Sequence, residues 1–158
     1  MGSTQNSKKI KASKETIYQA FTSPEALAIW LAPNNMTGKV HHFDLRVGGG
    51  YQMSLFYLNQ EDDESGKTSG NEDKFTTRFI ELTPFTRIIQ AVIFETGNPA
   101  FSGEMIMDVM IEPNGEWTTV TISFRNIPAG LDPKDNEAGT EQSLAKLAHY
   151  VEQQSTSL

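Results

Sequence analysis

The residues in this chain whose types and spacing could do chemistry come in trios at period two: Tyr51, Met53 and Leu55; Gln90, Val92 and Phe94; Met105, Met107 and Val109. At that spacing each trio falls on one face of an extended strand. Methionine and aromatic side chains are adaptable apolar surface, so the chemistry they offer is reversible capture of an apolar molecule in a cavity. The same residues would serve equally as ordinary packed core. Gln90 is the odd member: a buried amide needs partners and can orient a polar group of a ligand. A register slip of one residue would turn it outward. The opposite wall would be a helical stripe, Leu144, Leu147, Ala148 and Val151, at i, i+3, i+4, i+7 spacing. Trp30, at the end of a short helical segment, stands either at the mouth of such a cavity or as a core anchor.

Other chemistries find little in the sequence. Asp44 and Arg46 are two apart on a strand and share a face, which suits an ion pair around the Gly48–Gly50 turn or a charged ligand. His41 and His42 are neighbours on a strand, so their side chains are expected on opposite faces and do not easily share an ion, and His149 stands alone on a helix. The acidic run Glu61–Glu64 lacks the spacing of a calcium loop and reads as a solvated hairpin tip. Gly48–Gly50 leads into a strand, not a helix, and so is no phosphate-binding loop. There is no Gly-x-Ser-x-Gly elbow and no cysteine nucleophile. Tyr51, Tyr57 and Gln90 could steer a reactive substrate in a cyclase-type enzyme, but their spacing does not require it. No catalytic set, cofactor or metal site is assigned.

The elements that must position these residues follow from pattern and punctuation. Residues 1–8 are expected to be a poorly ordered tail, 9–154 one domain and 155–158 a second tail, with a brief strand over Lys8–Ala12. Ser13 can cap a first helix carrying Ile17 and Phe21 on one face. Ser23, Pro24 and Glu25 open a second helix with Leu27, Trp30 and Leu31 as its stripe, ended by Pro33. Period-two strands are expected around Val40–Leu45 and Tyr51–Tyr57, then a loop over 59–74, then strands at Phe75–Leu82, Arg87–Glu95, Met105–Ile111 and one ending with Val120, Ile122 and Phe124. A long helix begins between Pro133 and Gly139. The fold class is α+β: a curved antiparallel sheet of six or seven strands wrapped around a long C-terminal helix, with two short helices after the first strand.

Composition sets the outer bounds. A chain of 158 residues fits one domain around a single core. Its formal net charge of -7 argues against general nucleic-acid binding, which needs clustered Lys and Arg. The lack of cysteine suits a reducing cytoplasm. The polar start, Met1–Lys9, has no apolar stretch behind it and is not a secretory signal, and no window is apolar for long enough to span a bilayer. The Asn35–Thr37 sequon carries no weight without such a signal.

Four groups of residues stand in a set order and spacing: Pro24, Glu25 and Leu27 leading to Trp30; Asp44, Arg46, Gly48 and Gly49 followed by Tyr51 and Met53; Glu81–Pro84 with Arg87 and Ile88; and Gly139, Leu144, Leu147 and Tyr150. In these the chain resembles the START-like (SRPBCC) superfamily of helix-grip proteins. The resemblance is closest to the branch named after the C-terminal domain of the activator of the heat-shock protein 90 ATPase. It implies a sheet gripping the terminal helix, with an apolar pocket between them. Three functions follow as expectations. The first is non-catalytic binding of a small apolar or amphipathic molecule; the second is a co-chaperone-like module that stimulates an ATPase; the third is a polyketide cyclase-like enzyme. Co-chaperone members carry a further N-terminal domain, for which this chain is expected to have no room.

Overall fold

The computed structural model describes residues 2–34, 36–57 and 72–156. Among these residues seven strands form one antiparallel sheet: β1 (Gly2–Ile10), β2 (Met36–Asp44), β3 (Gly50–Tyr57), β4 (Glu72–Thr83), β5 (Arg87–Phe94), β6 (Met105–Asn114) and β7 (Trp117–Ile127). Their spatial order is β1-β7-β6-β5-β4-β3-β2, so β2 to β7 form a meander and only β1 joins out of sequence, beside β7. Two short helices, α1 (Lys14–Phe21) and α2 (Pro24–Trp30), follow β1, and the 24-residue α3 (Pro133–Thr156) closes the chain. Among the described residues no helix is long and apolar enough to cross a membrane.

Local chemistry sets the helix boundaries. The Ser13 hydroxyl accepts from the Thr16 amide at 3.1 Å, and the Ser23 hydroxyl accepts from the Ala26 amide at 3.3 Å. Each bond satisfies one of the amides that a helix start leaves without a partner. Pro24 takes the first helical position, where its missing N–H costs nothing. Trp30 is fully buried, donates through Nε1 to the Ala20 carbonyl at 2.9 Å and meets the Phe21 ring edge-on at 4.7 Å. It is the anchor between α1 and α2.

The core lies between the inner sheet face and the C-terminal half of α3. Leu144, Leu147, Ala148 and Val151 are all buried there with Ile10, Met53, Val109, Ile111 and Ile122. The sheet curves through bulges, one between Val40 and His42 in β2 and one between Phe79 and Glu81 in β4. The Gly48–Gly50 turn is tied to the second: the Gly48 amide donates to the Phe79 carbonyl at 2.9 Å, and the Phe79 amide donates to the Gly49 carbonyl at 2.8 Å.

Several sequence expectations are corrected. β1 begins at Gly2, where a tail had been expected to Lys8. It is mostly polar because it is an edge strand: its ladder with β7 runs from Gly2–Ile127 to Ile10–Thr118, while only Thr4 and Ile10 are buried. Leu45 lies beyond β2 and is exposed, since the strand ends at Asp44 where the glycine turn starts. Residues 72–74, expected as the end of a loop, are the first of β4; the run Glu61–Glu64 lies outside the described residues.

Gly50 is where the turn admits no side chain, because a Cβ there would sit 1.9 Å from the Thr77 carbonyl oxygen. Gly50→Ala is therefore expected to cost about 2–4 kcal/mol, read as a lowered urea midpoint.

Candidate functional site

The sequence of α3 explains why the sheet is not covered evenly. From Asp135 to Ser143 the helix carries Asn136, Gly139, Thr140 and Gln142 but no large apolar side chain; the first is Leu144. Its N-terminal half therefore cannot fill the space above β3 to β7. A cavity of about 650 Å³ remains there, within the range of small-molecule sites.

The floor of this cavity is apolar and aromatic. Tyr51 and Leu55 from β3, Phe75 from β4, Val92 and Phe94 from β5, Met105 and Met107 from β6, and Ile122 and Phe124 from β7 all line it. Rings run along it in series: Tyr51 meets Phe75 at 6.5 Å, Phe75 meets Phe94 at 6.5 Å, and Phe94 meets Phe101 at 6.1 Å, while Phe43, outside the lining, stacks on Tyr51 at 5.5 Å. The roof is polar, formed by Asn136, Thr140, Gln142 and Ser143 of α3. One side is closed by Leu31, Pro33 and Met36, the other by Phe101, Gly130 and Leu131. The first side is fastened to α3 through backbone carbonyls: Ser143 donates to Leu31 and Lys146 to Ala32, each at 2.7 Å, while the Asn34 amide donates to Gln142 Oε1 at 3.1 Å. Partial burial lowers the Lys146 pKa.

One polar pair interrupts the floor. Gln90 is 5% exposed; its Nε2 donates to the Tyr51 hydroxyl at 3.1 Å and approaches Met107 Sδ at 3.5 Å. Its second amide edge takes no hydrogen bond, and the Tyr51 hydroxyl has no acceptor for its own proton, among the described residues. Turning the amide over would exchange which edge is spent, yet still leave one facing the cavity. Burial pushes the Tyr51 pKa up to about 12, against the smaller lowering effect of the Gln90 hydrogen bond. Tyr51 is thus a neutral phenol at physiological pH: a hydrogen-bonding group rather than a base.

Of the sequence candidates, the structure brings Tyr51, Leu55, Gln90, Val92, Phe94, Met105 and Met107 to the cavity. It places Trp30, Met53, Val109, Leu144, Leu147 and Ala148 in the packed core instead. The stripe expected as the opposite wall packs into the core, and the cavity lies under the other half of α3. The roof residues were missed, though their signal was present: eleven positions from Pro133 to Ser143 without one large apolar residue.

The remaining candidates lie elsewhere. Arg46 Nε meets Asp44 Oδ2 at 2.8 Å as an exposed ion pair. The β2 bulge breaks the alternation at His41 and His42, leaving both exposed, with His41 Nε2 2.7 Å from the Ser54 hydroxyl. Ser54 also donates to Glu72. Among the described residues no three His, Asp or Glu side chains are placed to hold a metal ion.

A curved antiparallel sheet gripping a C-terminal helix, with two small helices after the first strand and a cavity under the helix, defines the helix-grip fold of the START-like superfamily. The chain belongs to the family of Activator of Hsp90 ATPase homolog 1-like proteins, whose model matches residues 11–152. Among solved structures it is similar to protein CV1439 from Chromobacterium violaceum, with 31% identity and a TM-score of 0.84 over 95% of this chain and 96% of that one. The AHSA1-like protein from Aeromonas hydrophila has the same fold at 20% identity and a TM-score of 0.69, covering 96% of this chain and 94% of that one. None of the curated proteins matches the chain.

The Tyr51 shift carries a stability consequence. An unfolded tyrosine ionises near pH 10 and the folded one near 12, so the unfolded state loses its proton first. Stability is then full below about pH 10 and falls as pH rises towards about 12, by about 2–3 kcal/mol for this group. Tyr51→Phe is expected to cost about 1 kcal/mol at neutral pH and to flatten this alkaline arm, measured by urea unfolding across the range.

Proposed function

We propose that the protein binds a small amphipathic molecule, non-covalently, in the cavity between the sheet and the N-terminal half of α3. The observation that carries this reading is the buried Tyr51–Gln90 pair with unspent hydrogen-bonding capacity, set in an otherwise apolar aromatic floor. A packed core gains nothing from a half-satisfied amide, whereas a ligand site uses one to fix orientation. The absence of cysteine favours a reducing cytoplasm as its setting.

Met107 lies beneath the cavity and touches Gln90. Protein purified gently from its host is expected to show, by native mass spectrometry, extra mass that is lost on denaturation. Met107→Trp is expected to lose that mass while unfolding cooperatively, since the new ring grows into empty space. Equal ligand occupancy in a folded Met107→Trp protein would sink the proposal.

The family supplies a second reading, in which the domain acts on a heat-shock protein 90 ATPase. On that reading, saturating protein should raise the ATPase rate of a purified chaperone; an unchanged rate counts against it.

A further inference from the structure

The cavity has a polarity along its length. At its inner end Tyr51 and Gln90 are buried, with 4% and 5% exposure. At its outer end Asp132 and Asp135 line it and are exposed, so this is where it opens to solvent. Asp73, buried and bonded by the Tyr57 hydroxyl at 3.3 Å, lies on the wall. Among the described residues that line the cavity there is no Lys, Arg or His.

Helix geometry accounts for only part of this. Asp132 caps α3, its Oδ1 accepting from the Lys134 amide at 2.9 Å. Asp135 makes no hydrogen bond or ion pair among the described residues, although it sits in the first turn and lines the opening. The positive end of a helix is worth roughly half a unit charge. Lys134 stands in the same turn but does not line the cavity, so the lining at the opening carries two carboxylates and, among the described residues, no cation.

We propose that the ligand of this cavity is a cationic amphiphile: an ammonium group seated at Asp135 and Asp132, an apolar body along the ring series, and a polar group at the Tyr51–Gln90 pair. The inference rests on the binding reading of the same site. An anionic amphiphile, such as a fatty carboxylate, would bring like charge to a lining that holds carboxylates and, among the described residues, no cation, and only its apolar part would be held. The unspent amide edge of Gln90 is the independent sign of a ligand, and the charge at the opening selects its class.

The test uses three probes of equal chain length, each below its micelle concentration: decyltrimethylammonium, decanol and decanoate, titrated calorimetrically into the full-length protein. The expected order is cation, then neutral, then anion, with about tenfold or more between the charged pair, narrowing as salt is added. Asp135→Asn, at an exposed position, is expected to weaken the cation by up to about fivefold and leave decanol unchanged. Decanoate binding as tightly as the cation, or an unaltered cation-to-anion ratio in Asp135→Asn, overturns the charge preference while decanol binding upholds the cavity. Failure of all three probes overturns the binding reading and this inference with it.

Discussion

The structure depends on a mismatch between one helix and the sheet it lies on. The inner sheet face is apolar along most of its length, whereas α3 carries large apolar side chains only from Leu144 onward. Where Leu144, Leu147 and Val151 meet the strands, burial is complete and the core is dense. Where Asn136, Gly139 and Thr140 face the same sheet, nothing reaches far enough to close the gap. Apolar surface left without a partner is costly in water. The packed half of the helix, with hydrogen bonds from Asn136 to Thr4 and from Ser143 to the Leu31 carbonyl, holds the rest of the element over that gap.

Other features support that arrangement. Trp30 locks α1 to α2, and the segment after α2 is held to α3 through the carbonyls of Leu31 and Ala32. The aromatic series from Tyr51 to Phe101 gives the floor stiff, well-defined surfaces. Within it Tyr51 and Gln90 satisfy each other only in part. Because burial keeps Tyr51 protonated up to about 12, the pair keeps its donors and acceptors throughout the physiological range. The floor's polarity is thus independent of pH, unlike that of a site built around histidine.

Much of this was legible in the sequence. Ser13, and Ser23 with Pro24, mark their helix starts because capping is local chemistry. Period-two alternation placed β3, β5 and β6 with their inward faces correct, Gln90 included, because one buried face fixes register. What sequence reading missed depends on tertiary context. The polar residues of β1 look like a tail until β7 supplies its ladder. The bulge that turns His41 comes from sheet curvature, not from local propensity. The apolar stripe of α3 was read as a cavity wall, but good packing removes the space a wall would need. Only the neighbouring polar stretch leaves space, and an absence of large residues is a fainter signal than their presence.

The division of α3 separates two kinds of information along one helix. The buried stripe of its second half, Leu144, Leu147, Ala148 and Val151, is constrained by folding, since a change there disturbs close-packed neighbours. Its first half borders the cavity, so a change there reshapes what the cavity admits, although Gln142 and Ser143 also hold the segment after α2. A lineage with this fold can therefore drift in selectivity through a short polar stretch of one element without passing through unfolded intermediates. Relatives with the same backbone and different roof residues are then expected to differ in preference more than in stability.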